Sequence, residues 1–111
     1  MPYSQALADR VREALPVDAS CVREIKMFGG LAFMVHDAMA VCVMSDGELL
    51  VRADPDRADE LLSATGARPA EMGAGRAMGK SWITVARSAV ATDEGLGFWL
   101  QVALEYNKSK A

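Results

Sequence analysis

The chain has 111 residues, and with 51% hydrophobic and 24% charged residues its composition is typical of a globular protein, not of a disordered one. This length predicts one domain, residues 1–111, with a core of its own. A formal net charge of −3 argues against broad electrostatic binding to nucleic acid. Two cysteines are too few for a disulfide framework, and no apolar run approaches the ~20 residues of a membrane helix. We therefore expect a cytoplasmic protein.

The first predicted element is a helix over Ser4–Leu15. Ser4 is suited to cap its first turn, and Pro16 is expected to end it. The residues predicted to share its apolar face are Leu7, Val11, Ala14 and Leu15.

An antiparallel meander is predicted next, because several apolar runs follow one another with short breaks. Gly29-Gly30 suits a bulge or tight turn, His36-Asp37 a two-residue turn, and Asp46-Gly47 a hairpin turn. The predicted strands are Val22–Phe28, Leu31–Val35, Ala38–Met44 and Glu48–Arg52. The run Leu31–Val35 is almost continuously apolar, which predicts a strand that is covered on both faces or shielded by a neighbour.

A second helix is predicted at Asp54, which is suited to cap it, with Pro55 at the first helical position and Gly66 after its end. A short extended segment is expected at Arg68–Met72, followed by a glycine-rich loop over Gly73–Ser81.

The composition of Trp82–Arg87 then predicts a strand, and Thr92 a cap for the last helix. The residues predicted to form the buried stripe of this helix are Leu96, Trp99, Leu100, Ala103, Leu104 and Tyr106. Runs of strands with few helices between them predict an α+β domain. We expect two layers, a mostly antiparallel sheet of about five strands flanked by helices.

One stretch nearly matches a phosphate-binding loop. Ala74–Ser81 fits G-x-x-x-x-G-K-[ST] except that alanine replaces the first glycine. A phosphate-binding loop leads into a helix whose N-terminus helps to bind the anion, whereas Ser81 leads into a predicted strand. The sequence therefore argues against nucleotide hydrolysis.

A weaker interpretation of the same loop remains open. The segment Arg68–Arg87 contains four basic residues and one acid in an otherwise acidic chain. A basic, glycine-rich loop can meet an anion or an acidic partner surface, with Arg76, Lys80 and Ser81 as the candidate contacts. The alternative is a solvated loop whose glycines serve its turns.

The sequence predicts neither a catalytic centre, nor a metal site, nor a cofactor. His36 is the one histidine, and metal sites need several convergent ligands. Cys21 or Cys42 would need a nearby base to act as a nucleophile, and Cys42 lies in an apolar strand, as expected of a buried hydrophobe. The methionines are interpreted as core residues, with an adaptable groove as the alternative.

The block Met27-Phe28-Gly29-Gly30, with the strands that follow it, resembles the N-terminal domain of the TfoX/Sxy family of competence regulators. The resemblance covers nearly the whole chain. The other matching stretches are Leu31–Val35, Glu48–Arg52, Gly75–Met78, Trp82–Val85 and the last helix with Trp99 and Ala103-Leu104.

This resemblance implies a two-layer α+β fold and a link to transcriptional regulation. Full-length members promote competence genes together with the cyclic-AMP receptor protein and carry a second, helical domain. The present sequence stops at Ala111, so we expect a stand-alone copy of the N-terminal domain. The resemblance assigns no catalytic residues to this chain.

The sequence thus favours a non-enzymatic, regulatory protein-interaction module that contacts its partner through a sheet edge or the loop 73–81. Homodimerisation is one way to cover its edge strands. The alternative is a protein that binds a small anion or phosphorylated metabolite through the basic loop. Direct binding to DNA is the least favoured hypothesis.

Overall fold

The structure, a computed structural model, follows the predicted order of helix, strands, helix, strands and helix. It describes residues 5–15, 18–27, 30–36, 38–44, 47–64, 66–70, 79 and 81–110. The α-helices within these residues are Gln5–Ala14 (α1), Ala58–Leu62 (α2) and Asp93–Lys110 (α3). The strands are Val22–Met27 (β1), Gly30–Val35 (β2), Ala38–Val43 (β3), Leu49–Arg52 (β4), Ala67–Pro69 (β5) and Trp82–Val85 (β6).

All six of these strands form one sheet in the order β1-β2-β3-β4-β6-β5, and every neighbouring pair is antiparallel. The predicted meander and the α+β class are confirmed. The sheet has one strand more than the expected five or so, because Ala67–Pro69 pairs with β6 as a short edge strand. A proline is compatible with such an edge, since it cannot donate to a further strand.

The main core lies between one face of the sheet and the helices. Leu7 and Val11 of α1, Leu61 of α2 and Leu100 of α3 are buried in it. The sheet residues in this core are Leu31, Phe33, Val35, Ala40, Val41, Val43, Leu49, Val51, Ile83 and Val85. Burying one large aliphatic side chain stabilises a fold by ~1.5–3 kcal/mol, so this face accounts for most of the apolar stabilisation.

The opposite face of the sheet is also apolar, and β2 has buried residues on both faces, which agrees with the first of the two interpretations of its apolar run. Its buried members are Ala32, Met39, Cys42, Leu50 and Ala70, with Met34, Met44 and Trp82 half-buried beside them. Met39 and Cys42 are three residues apart on β3 and yet share this face. A bulge reconciles the two, because the β2–β3 register passes from Phe33↔Val41 to Met34↔Met39 and leaves Ala40 as the extra residue.

Two predicted capping residues, Asp54 and Thr92, form the expected hydrogen bonds, whereas Ser4 and Pro16 lie outside the described residues. The Asp54 side chain accepts a hydrogen bond from the backbone N–H of Asp56 at 2.9 Å, and Pro55 opens a 3₁₀ turn that leads into α2. Thr92 Oγ1 accepts from the Gly95 N–H at 3.0 Å at the start of α3. Gly66 follows α2 with a φ of +86°. The prediction for Ala14 is wrong, because this residue is exposed and Ala8 is buried instead.

Gly30 brings β2 close to β3. A Cβ atom at Gly30 would overlap the carbonyl oxygen of Val43, so glycine is required here for close approach of the two backbones. The turn from β3 to β4 also uses a glycine, since Gly47 has a φ of +86° and its N–H donates to the Met44 carbonyl oxygen at 3.1 Å.

A buried amide joins α3 to the turn between β2 and β3. The Asn107 side chain donates from Nδ2 to the carbonyl oxygens of Val35, at 3.0 Å, and Ala38, at 3.2 Å. His36, in the turn between them, has a φ of +50° and is exposed. Asn107 thus holds the last turns of α3 against the end of the β2–β3 hairpin.

Candidate functional site

The predicted site residues fall largely outside the described part of the chain. Arg76 and Lys80 of the basic loop lie outside it, as do Phe28 and Gly29 of the Met-Phe-Gly-Gly block. Met27 ends β1 and Gly30 begins β2, and these two residues are opposite each other in the register. The proposed roles of Arg76 and Lys80 therefore stay predictions.

Ser81, the third candidate contact, lies directly before β6. Its carbonyl oxygen accepts a hydrogen bond from the Ala53 N–H at 2.7 Å, and the Trp82 N–H donates to the Gly79 carbonyl oxygen at 3.1 Å. The predicted strand after Ser81 is confirmed. A helix would have to start at this point in a phosphate-binding loop, so Ala74–Ser81 lacks the context that such a loop needs.

A cationic and aromatic cluster lies next to Ser81. Arg52, the last residue of β4, is opposite Trp82, the first residue of β6. The guanidinium carbon of Arg52 lies 5.4 Å from the centroid of the Trp82 ring and 5.6 Å from the centroid of the Tyr106 ring, on α3. These distances are within the range of cation–π attraction. We call these three residues the Arg52 cluster.

The guanidinium of Arg52 is not neutralised by a carboxylate in the described part of the chain. Its Nε is buried and has no hydrogen-bond partner. Arg52 as a whole is half-buried, so its terminal nitrogens are not enclosed in the same way. A buried donor without a partner costs ~1–3 kcal/mol, and such groups are rare enough in native proteins to require an explanation.

Other arginines of the chain are held by carboxylates. Arg12 binds both oxygens of Glu24, and Arg68 binds both oxygens of Glu48. Arg57 contacts Glu60 at 3.0 Å and Glu105 at 2.9 Å. Glu105 directly precedes Tyr106 in the chain, but its carboxylate forms an ion pair with Arg57 and not with Arg52.

The chemistry available to the Arg52 cluster is recognition. A guanidinium stays protonated in proteins and donates hydrogen bonds in a planar fork, so it does not act as a base or a nucleophile. It can bind the two oxygens of a carboxylate or phosphate side by side. The aromatic rings next to it provide apolar contact area for a ligand.

Neither thiol nor histidine forms a reactive centre with this cluster. Burial raises the pKa of the Cys42 thiol to about 11, so it is neutral at physiological pH and a poor nucleophile. Cys21 is half-buried, and His36 is exposed in its turn. No group of three or more His, Cys, Asp or Glu side chains suited to a metal ion occurs among the described residues.

Among the described helices, none has the length and apolar composition needed to cross a membrane.

A shallow depression of about 220 Å³ lies between α1 and the start of α3, away from the Arg52 cluster. It is lined by Arg10, Glu13, Ala14, Asp93 and Leu96. Arg10 donates to the Val90 carbonyl oxygen at 2.8 Å and meets Asp93 at 3.3 Å. Because Arg10, the one cation of its lining, is already bound, this depression offers no free positive charge to an anionic ligand.

Sequence reasoning did not identify the Arg52 cluster. It placed Arg52 at the end of one predicted strand, Trp82 at the start of another, and Tyr106 on the stripe of the last helix. Positions 52, 82 and 106 share no linear motif, and they meet only because β6 pairs with β4 and α3 packs across the sheet. A tryptophan opposite an arginine could be found only after this strand pairing is known.

Comparison with known proteins gives a family match and no individual relative. No curated protein and no solved structure matches the chain. The sequence model of the TfoX N-terminal domain matches residues 17–106, which include all six strands, α2 and most of α3. The chain therefore belongs to the TfoX N-terminal domain family.

Proposed function

We propose that this domain is a non-enzymatic protein-interaction module with a regulatory role, and that the Arg52 cluster forms the centre of its contact surface. The observation that carries the proposal is a guanidinium between a tryptophan and a tyrosine ring with no carboxylate partner in the described residues. Tryptophan, tyrosine and arginine are the residues most enriched among those that dominate protein–protein binding energy. Family membership supports the regulatory role, since the full-length relatives act on competence genes.

The predicted basic loop 73–81 is adjacent in sequence to the Arg52 cluster. Ser81 directly precedes Trp82, so the loop enters β6 next to the Arg52 cluster. We expect the double substitution Arg76→Glu and Lys80→Glu to weaken partner binding, because it reverses two charges that would face an acidic partner. The melting temperature of this variant, measured by calorimetry, should be nearly unchanged. Undiminished partner binding would remove the loop from the proposed surface.

The first test is a tagged pull-down from nuclease-treated lysate of the native host, followed by quantitative mass spectrometry. Wild type, Arg52→Gln and Arg57→Gln are compared in parallel. Both variants lose one positive charge, but Arg57 is already engaged by Glu60 and Glu105. We expect a stoichiometric partner with wild type and Arg57→Gln, and its loss with Arg52→Gln. A partner retained equally by both variants would contradict the proposed surface.

A second candidate function is binding of a small anion, and the unpartnered Nε of Arg52 close to Ser81 favours it. A thermal-shift screen with nucleotides, phosphorylated metabolites and carboxylates tests it. A ligand at one hundred times its dissociation constant should add ~2.7 kcal/mol to the free energy of unfolding. No stabilisation at millimolar concentrations would exclude this function.

A further inference from the structure

We infer that the Arg52 cluster binds a side-chain carboxylate on an acidic peptide segment of the protein partner. This inference rests on the proposed function and adds to it the chemical class of the group that is recognised.

The positive charge of the Arg52 guanidinium favours a ligand with one negative charge. The described neighbourhood of the cluster contributes a single guanidinium with no counter-charge, and Asp54, nearby in the chain, is used as a helix cap. A partly buried cation without a counter-charge is costly, and binding of one anion offsets this cost. A carboxylate carries one negative charge. Phosphate carries up to two and usually collects several donors or cations.

The shape of the cluster favours a flat ligand. The rings of Trp82 and Tyr106 both lie near the guanidinium, and its Nε is enclosed. A ligand therefore has to accept its hydrogen bonds from the two terminal nitrogens of the guanidinium, Nη1 and Nη2. Two carboxylate oxygens match two adjacent N–H groups in one plane, which is the preferred geometry of arginine and carboxylate pairs.

The chain contains this contact elsewhere in complete form. The Arg12 and Glu24 side chains are joined by two hydrogen bonds of 2.7 Å, and Arg68 and Glu48 by bonds of 2.7 and 2.6 Å. Among the described residues, Arg52 has the donors of such a pair without the acceptor, and it has the aromatic surface of Trp82 and Tyr106 beside it. That surface suits an apolar residue next to the acid, so the ligand we infer is a peptide in which an acidic residue is flanked by apolar residues.

Two-dimensional NMR on the full ¹⁵N-labelled chain tests the inference directly. The probe is the blocked peptide acetyl-Leu-Glu-Leu-Glu-amide, and the matched control replaces both glutamates with glutamine. We expect saturable shifts of the Arg52 Nε–H and Trp82 indole N–H signals with the glutamate peptide. The Trp99 indole signal should move little, because this ring is buried in the main core. Binding of the glutamine peptide should be at least about tenfold weaker, since charge-assisted hydrogen bonds are lost.

Arg52→Lys separates this inference from the proposed function. Lysine keeps the charge but lacks the planar fork, so we expect the glutamate peptide to bind at least about tenfold more weakly to this variant. The absence of any shift at about 10 mM peptide, equal binding of the two peptides, or tighter binding of methyl phosphate would each overturn the carboxylate assignment. If Arg52→Gln nevertheless loses the partner in the pull-down, the interface stands and only its chemical class is wrong.

Discussion

Gly30 shows how a single missing side chain sets the spacing of two strands. Its Cβ position is occupied by the Val43 carbonyl oxygen, which is backbone and cannot rotate away. We expect Gly30→Ala to lower the free energy of unfolding by about 1–3 kcal/mol or more, as overpacked sites do. Urea denaturation followed by circular dichroism measures this change.

Gly97 provides the matched control for that substitution. It lies on the exposed side of α3, and a Cβ there would meet no atom within 4 Å. Gly97→Ala should raise the free energy of unfolding by about 0.5–1 kcal/mol, because alanine restricts the unfolded chain and favours the helix. If Gly30→Ala were as stable as wild type, β3 would be able to move away from the added methyl group without a loss in the free energy of unfolding.

At the scale of elements, one ion pair links α1 to β1. The Arg12 hydrogen bonds lower the pKa of Glu24, although about a third of the Glu24 side chain is exposed. A carboxyl with a lowered pKa contributes stability above its unfolded-state pKa and loses it as the pH falls through the folded-state pKa. Glu24→Gln should therefore cost a few tenths to ~1 kcal/mol at neutral pH, and this cost should shrink as the pH falls through the lowered pKa of the folded state.

Urea denaturation at pH 7, 5 and 3 measures that pH dependence. The control is Glu13→Gln, the same substitution at an exposed position on α1. Its effect should be small at every pH. A destabilisation by Glu24→Gln that stays constant from pH 7 to pH 3 would contradict the ion-pair explanation.

A second link joins α3 to the β2–β3 hairpin through Asn107. Asn107→Leu keeps much of the buried volume but removes the donor to the carbonyl oxygens of Val35 and Ala38. We expect a loss of about 1–3 kcal/mol, the cost of leaving a buried acceptor unsatisfied. Hydrogen exchange should show faster opening of the hairpin amides than in wild type. Unchanged stability and exchange would mean that water replaces the amide.

Sequence reasoning succeeded where an element is specified by neighbouring residues. Thr92 and Asp54 act on the backbone within three positions, and both form the predicted cap, Thr92 at α3 and Asp54 at the 3₁₀ turn before α2. The prediction for Gly66 is less accurate, because α2 already ends at Leu62, four residues before this glycine. The bulge at Ala40 was not predicted, because it depends on the partner strand and not on β3 alone. The short strand Ala67–Pro69 was expected only as an extended segment, since its pairing with β6 spans a loop.

For the whole molecule, the class of fold was predictable but the position of β6 was not. Insertion of β6 between β4 and β5 brings Arg52 and Trp82 together, and the packing of α3 adds Tyr106. The two contacts of Arg52 join residues that are 30 and 54 positions apart in the chain, beyond the reach of a local pattern. The basic loop is a continuous segment, so the sequence pattern predicted it as a contact. The adjacent Arg52 cluster combines three distant positions, so the pattern did not predict it.

The order of the elements also has a consequence for synthesis of the protein on the ribosome. The sheet is complete once β6 has emerged, yet α3, which supplies Leu96, Trp99 and Leu100 to the main core, follows it. Until then a nascent chain exposes the part of this apolar sheet face that α3 covers in the folded protein. Such a face can recruit chaperones or associate with another nascent chain, so the late arrival of the last helix is the step at which this protein is most exposed to misassembly.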